Sequence, residues 1–456
     1  MKNKRSEPLV ILLVSTLIIS TLSFIPFKIW NYELPDYLSD LKSKSTKSIE
    51  HPEQKKYIGK KDSAFVEPSK MLADTTINSF GDLTKFFEAL YALQEKPQAV
   101  HIAYFGDSMI EGDLITMDMR SMLQKKFGGK GVGYMPITSA TASFRSTIRH
   151  QFNQLWTTFN YNKKPSKDKQ LCWSGYCFQG TPGAKANFNK AKGYPPFNSV
   201  KAYCKSNNNG RIRVQAGDKS IFIDVPMADS IQTIEIKDSL DFDQLEIEVT
   251  EGNPEFYGLN FENGSGVYLD NYSFRGNSGI PLSSVKDEMY SFASNNLNCK
   301  LVILHYGLNV VGHDSKDYSW YLTPFRKTIR KIKSAFPNAT IVLASVGDKS
   351  YKFGKQYHTE PDIPLFVGMQ IKLAREENIV FWNMYKAMGG YDSMKRWVEE
   401  SPKRASKDYT HLNHQGAKEV ATLFYNWLME EYNNFLIKKL DNIVKIDALS
   451  NKKDMP

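Results

Sequence analysis

The stretch His101-Ile102-Ala103-Tyr104-Phe105-Gly106-Asp107-Ser108-Met109-Ile110-Glu111-Gly112-Asp113 decides the fold of this 456-residue chain. The apolar run over 99–105 reads as a strand buried on both faces. It stops at Gly106, and Leu114, Met117, Leu123 and Phe127 then recur at helical spacing. A strand that turns sharply into a helix exposes the side chain at the turn, here Ser108, and a helix N-terminus favours an anion beside it. Position 110 is Ile, so this is not the G-x-S-x-G elbow. Taken alone, Gly-Asp-Ser is equally a polar turn with an N-cap.

Two later stretches give the serine possible partners. Leu301-Val302-Ile303-Leu304-His305-Tyr306-Gly307-Leu308-Asn309 is a second buried strand, ending in Gly-x-Asn. Asp408-Tyr409-Thr410-His411 lies just before a C-terminal helical pattern of Val420, Phe424, Trp427 and Leu428. These three blocks, in this order and each at the end of an element, resemble the SGNH (GDSL) hydrolases.

The resemblance implies an α/β fold: a flavodoxin-like αβα sandwich around a parallel sheet. It implies Ser108 as nucleophile, His411 as base and Asp408 as the group that orients the base. It also implies an oxyanion hole from the Ser108 N–H, a glycine N–H and the Asn309 side-chain amide. Gly276, in Gly276-Asn277-Ser278-Gly279, is the first choice for the glycine and Gly279 the second. No cofactor and no metal is expected.

The remaining patterns agree with α/β alternation. Leu83, Phe86, Phe87, Leu90 and Leu93 mark a helix ahead of the first strand, ended by Pro97. After 301–306 come a helix with Phe325, Ile329, Ile332 and Phe336, a strand over 340–346, a helix over 365–374 and a strand over 379–384. In such sheets functional groups gather at the carboxyl ends of strands, where Ser108 and Asn309 both fall.

Between the first and second blocks the period changes to two: Ile212/Val214, Ile221/Ile223/Val225, Ile234/Ile236, Leu245/Ile247/Val249. Short strands punctuated by Asn-Gly and Gly-Asp turns imply an inserted antiparallel β-sandwich. Insertion at an exposed loop suggests that removing 139–264 would leave small-ester activity and weaken polymer turnover. The glycine-rich run Gly128-Gly129-Lys130-Gly131-Val132-Gly133 follows a helix and lacks a Lys-Ser/Thr ending, so it reads as a turn and not a phosphate loop.

Within the SGNH hydrolases the chain is most similar to bacterial peptidoglycan O-acetylesterases and O-acetyltransferases. Three features carry this. The first is the extended first block through Phe127 and the glycine run. The second is the inserted β-module, which resembles a family 35 carbohydrate-binding domain. The third is Phe381-Trp382-Asn383-Met384-Tyr385-Lys386-Ala387-Met388-Gly389-Gly390 followed by Ser393-Met394-Lys395-Arg396-Trp397. The implied function is removal of O-acetyl groups from a cell-wall or other extracellular polysaccharide, peptidoglycan first. The alternatives are an O-acetyltransferase working with a membrane acetyl-donor protein, and a non-catalytic glycan-binding protein.

Compartment is read from the N-terminus. Lys2, Lys4 and Arg5 precede a stretch over 9–25 that is apolar apart from Ser and Thr. This is a signal peptide or a signal anchor; with no A-x-A-like site behind it, an uncleaved anchor is the preferred reading. The chain beyond it is expected on the periplasmic or extracytoplasmic face of the membrane, or secreted if the segment is cleaved. The expected organisation is a membrane segment over 1–29, a polar tether over 30–75, hydrolase over 76–138, β-module over 139–265, hydrolase over 266–435 and a lysine-rich tail over 436–456.

Cys172, Cys177, Cys204 and Cys299 fit an oxidising compartment, either as disulfides in any of three pairings or as free buried thiols. The net charge of +10 is spread over many lysines and reads as a solvated surface. No basic stretch interleaves with aromatics, so nucleic acid is not an expected partner. Asp408, His411 and His414 raise a metal site as a rival; His414 reads instead as a surface or capping residue. His305 and His313 read as structural or rim residues. Arg275 and Trp397 are candidates to line the cleft.

Overall fold

The computed structural model describes residues 75–163, 169–312, 315 and 317–453, with two short antiparallel strands, Lys28–Ile29 and Tyr32–Glu33, in a separate N-terminal unit. The apolar segment over 9–25, most of the tether and His313 lie outside the described residues. Among the described residues no helix is long and apolar enough to cross a membrane.

The main, mostly parallel sheet is built from β1 (Ser79–Phe80), β2 (Ala99–Gly106), β3 (Gly266–Ser273), β4 (Cys299–His305), β5 (Thr340–Ala344) and β6 (Val380–Trp382). Their spatial order is β3-β2-β4-β5-β6-β1. β2 to β6 run parallel, and β1 closes the edge antiparallel to β6. Val100, Ile102, Phe105, Leu301, Val302, Ile303 and Leu304 are fully buried, as expected of parallel strands covered on both faces. Each such side chain contributes roughly 1.5–3 kcal/mol by leaving water. The longer helices are α1 (Thr84–Ala92), α2 (Thr116–Phe127), α3 (Asp287–Asn296), α4 (Ser319–Ala335), α5 (Asp362–Glu376) and α6 (His414–Lys453), with short helical segments at Met384–Ala387 and Ser393–Glu399. α6 continues through the segment read as a lysine-rich tail.

Register decides where the chemistry collects. Gly106, the last residue of β2, pairs with Ser273 at the end of β3 and with His305 at the end of β4. The segments leaving these three strands, which carry Ser108, Gly276 and Asn309, therefore start from one line across the sheet.

The inserted module consists of two antiparallel sheets. The five-stranded one runs Lys219–Val225, Gly210–Ala216, Gln244–Glu251, Lys185–Lys190, Ile148–Phe152. The other runs Gln232–Phe242, Phe197–Lys205, Glu255–Asn263, Tyr176–Gly180, Trp156–Asn160, with Lys130–Met135 also paired to Glu255–Asn263. Ile212, Val214, Leu245, Ile247 and Val249 pack against Val200, Ala202, Leu259 and Phe261 in the module's own core. Along Lys219–Val225 the pattern fails at the edge: Ile221 and Phe222 are more than half exposed.

Two expectations change here. Lys130–Met135 is a strand, not a turn. Its glycines serve close approach: a Cβ on Gly131 would lie 2.3 Å from the Phe261 carbonyl oxygen, and one on Gly133 2.7 Å from Asp270. The module also shares buried core with the parallel-sheet domain. Trp173, Tyr203, Tyr257, Cys172 and Cys177 belong to the same buried cluster as Tyr272 and Tyr290 of the parallel-sheet domain, and Trp173 stacks on Phe292 at 5.7 Å. Excising the module would expose that shared core.

Charges cross the same boundary. His101 on β2 lies 2.7 Å from Asp270 and 3.3 Å from Glu262, which pairs with Lys201 at 3.0 Å. Burial alone would discharge His101, but the two carboxylates raise its pKa to about 10. All four cysteines are free and buried, and burial pushes their thiols up. No disulfide forms among them.

Candidate active site

The turn that carries Ser108 is tied by its own residues. Gly106 is needed for space, since a Cβ there would come within 2.9 Å of the Ile110 side chain. Asp107 caps the 3-10 turn Ser108–Asp113 by accepting from the Met109 N–H at 3.0 Å. The far end of the turn is clamped as well. Asp113 accepts two 2.8 Å bonds from Arg120, a fork of the strong bidentate kind, and a third from Thr147 in the module. Arg145 lies 3.3 Å away. Burial raises Asp113's pKa, yet the two guanidiniums overcome it and hold the carboxyl far below the usual carboxylate range.

Ser108 Oγ lies 3.0 Å from His411 Nε2, and His411 Nδ1 lies 2.7 Å from Asp408 Oδ2. The contact between Ser108 and His411 bridges 303 positions of sequence. Asp408 Oδ1 accepts from the backbone N–H groups of Thr410 and His411, each at 3.0 Å. Partial burial works against its charge, but these bonds and the His411 ring hold its pKa below the ordinary value. The loop is braced by Tyr409, whose carbonyl accepts from the Ser350 N–H at 2.9 Å and whose ring stacks on Tyr357 at 3.6 Å. The structure thus brings Ser108, His411 and Asp408 into the nucleophile–base–orienter arrangement.

Asn309 follows Gly307, where a Cβ would lie 2.4 Å from the Phe366 ring. Its Nδ2 donates to Asp107 Oδ2 at 2.7 Å and lies 3.4 Å from the Asn277 carbonyl. One of its two N–H groups is therefore committed to Asp107 and the other is held only loosely. Asp107 is 1% exposed. Burial drives its pKa up to about 6, against the pull of the Met109 N–H, the nearby His411 and the Asn309 amide. Sequence reasoning missed this link. Asp107 stands inside the quoted motif, but its partner is 202 positions away and nothing local points to it.

Gly276 is exposed, with φ +73°, in the turn that Asn277 closes by donating to the Phe274 carbonyl at 3.1 Å. The Phe274 N–H in turn donates to Gly106 at 3.0 Å, which keeps this turn beside the nucleophile strand. Gly279 is excluded as the alternative donor, because its N–H is spent on Asn277 Oδ1 at 2.7 Å.

The remaining candidates separate clearly. His414 is exposed at the first position of α6. His305 is buried against the Tyr104 hydroxyl at 3.1 Å, and burial lowers its pKa to about 4. Arg275 is at the rim, paired with Glu111 at 2.6 Å. Trp397 does not line an open cleft: it is buried, with the Arg404 guanidinium 4.5 Å above its ring. Among the described residues no group of three or more His, Cys, Asp and Glu side chains is placed to hold a metal ion.

No protein-family model matches the sequence, and no curated protein matches it. Solved structures do. A peptidoglycan O-acetylesterase matches 78% of this chain and 98% of its own at 21% identity, with a TM-score of 0.65. Family two carbohydrate esterases from Clostridium thermocellum and Cellvibrio japonicus match 62% and 63% of this chain, and 98% and 99% of their own. Their identities are 10% and 11% and their TM-scores 0.27 and 0.24. The first match establishes the fold: the chain has the SGNH-type α/β architecture with additional antiparallel sheets.

Proposed function

We propose that this chain is a serine esterase that removes O-acetyl groups from an extracytoplasmic polysaccharide, peptidoglycan foremost. The observation that carries the reading is the relay Ser108–His411–Asp408, at 3.0 and 2.7 Å, where strands of a parallel sheet end together. Ser108 Oγ attacks the acetyl carbon while His411 Nε2 takes its proton. The carbonyl oxygen becomes an oxyanion, received by the Ser108 and Gly276 N–H groups and by the loosely held N–H of Asn309. Collapse breaks the bond to the sugar oxygen, which leaves with the proton from His411. Water, activated by the same imidazole, then releases acetate and restores Ser108. Asp408 keeps the Nδ1 proton in place and offsets the imidazolium charge.

The apolar stretch over 9–25 behind basic residues supports an uncleaved anchor that leaves the enzyme outside the cytoplasmic membrane. Retention of the full chain in the membrane fraction through a high-salt wash supports it; a mature N-terminus beyond Phe27 rejects it.

Acetate release from O-acetylated peptidoglycan and from acetyl xylan tests the activity, with Ser108→Ala as control and a chito-oligosaccharide as added acceptor. Release that depends on Ser108 supports the esterase. Transfer to the acceptor exceeding hydrolysis replaces it with an O-acetyltransferase, which would need a membrane acetyl-donor partner. No turnover of either kind leaves a glycan-binding role.

A further inference from the structure

A cavity of about 380 Å³ opens between the nucleophile turn and the β-module. That volume lies in the range of small-molecule sites, roughly 300–1,000 Å³. Its hydrolase wall includes Glu111, three positions after Ser108 in the same turn, and Ser273, the register partner of Gly106. Its far wall is the module, with the hydroxyl and amides of Thr141, Gln154 and Asn160 and the rings of Phe152 and Trp156.

The carboxylates at this cavity are already answered, and the lining guanidinium is occupied. Glu111 is paired with Arg275, Asp113 is shared by Arg120 and Arg145, and Arg145 also donates to Thr147 and to the Val132 carbonyl. His150, also on the wall, has its pKa lowered by burial to about 4 and is neutral at pH 7. What the lining offers a ligand is amide and hydroxyl hydrogen bonding beside aromatic faces. A sugar ring needs both, since its hydroxyls lie around the edge and its C–H groups on the faces.

We propose that this cavity is a subsite for an uncharged saccharide unit adjoining the acetylated sugar. The polymer is then gripped jointly by the module and by the turn that carries Ser108. The inference rests on the proposed esterase reading for the identity of the neighbouring sugar, but the subsite can be measured without catalysis. It gives the module a role at the reaction centre: one wall of the site for the substrate chain.

Two exposed wall residues test it, Phe152→Ala and Gln154→Ala; the Phe152 ring also meets His150 at 5.2 Å, so the fold of each variant is checked by circular dichroism. Binding of chitotetraose, a neutral oligosaccharide, is measured by calorimetry on the Ser108→Ala protein and on the same protein with each wall change. Kinetics on O-acetylated polymer and on 4-nitrophenyl acetate are measured in the Ser108 background. The expected result is chitotetraose binding weakened about tenfold by Phe152→Ala, with KM for polymer raised to match and 4-nitrophenyl acetate turnover unchanged. Absence of chitotetraose binding, binding that neither change weakens, or preference for trigalacturonate, an anionic oligosaccharide, overturns the subsite. Failure of the Ser108 protein to cleave 4-nitrophenyl acetate overturns the esterase reading instead, and the calorimetry still decides the subsite.

Discussion

The two aspartates beside Ser108 and His411 sit in opposite environments. Asp107, in the nucleophile turn, is 1% exposed and has its pKa pushed up to about 6. Asp408, in the loop before α6, has a half-exposed side chain and a pKa held below its ordinary value. Both accept hydrogen bonds from their own loops; the difference is solvent. Asp408 keeps water and three close N–H donors, so its charge is inexpensive to hold. Asp107 has lost water and is left with two. A buried carboxylate that must stay charged is a costly way to hold an amide, and the geometry indicates what the cost serves: a fixed Asn309. The turn is rigid and leans on the module through Thr147 and Arg145, whereas the Asp408 loop is braced by surface aromatics.

The strongest test removes what the turn leans on. Excision of 139–264 is expected to yield no folded protein, because it exposes the shared core and strips Asp113 of Arg145 and Thr147. Circular dichroism and gel filtration check this; a folded, active remnant would break the claim that the turn depends on the module. Next, Ser108→Ala should cost about 10⁴-fold or more in kcat on an acetyl ester with the fold intact, and His411→Ala nearly as much. The double change should add little, since the pair acts as a unit.

Third come Asp107→Asn and Asn309→Ala, each expected to lower kcat about a hundredfold with KM little changed. In Asp107→Asn two amides face each other and Asn309 loses its anchor. If the two residues form one device, the double change costs scarcely more than either alone. Independent, additive losses would separate Asp107 from the oxyanion site. Smaller again, Asp408→Asn should cost about tenfold, because an exposed carboxylate is partly replaced by water. A loss equal to that of His411→Ala would make the two aspartates equals after all.

The last test is thermodynamic. Asp107's folded pKa, about 6, lies above the free value of 3.8, so the folded state binds this proton more tightly than the unfolded one. Its ionised form costs stability above pH 6, and that cost is relieved as pH falls through about 6. Asp408, with its pKa lowered, contributes stability above its free value and loses it as pH falls through the folded one. Between pH 7 and pH 5 the Asp107 contribution to unfolding free energy should therefore rise, and Asp107→Asn should remove that rise. Urea unfolding of both proteins at the two pH values checks the sign. Identical slopes would mean that Asp107 is not strained.

What the sequence determined by itself is what local order can encode. The apolar runs ending at Gly106 and Tyr306 are β2 and β4, because a parallel strand buried on both faces has a continuous apolar signature. The Gly-Asp-Ser, Gly-x-Asn and Asp-x-x-His blocks were legible because each sits at the end of such an element. Period-two alternation exposed the inserted strands for the same reason. The tertiary structure alone decided the rest. Lys130–Met135 is a strand whose glycines read as a turn until Phe261 and Asp270 are brought against them. Four cysteines suited to disulfides are free and buried, and Trp397 is packed under Arg404. A module that reads as a removable insertion shares its core with the parallel-sheet domain. Asp107 acquires its partner only when β2 and β4 align. Hydrophobic period is written residue by residue, whereas close approach, shared cores and the solvation of a carboxylate arise from residues that meet only when the chain is folded.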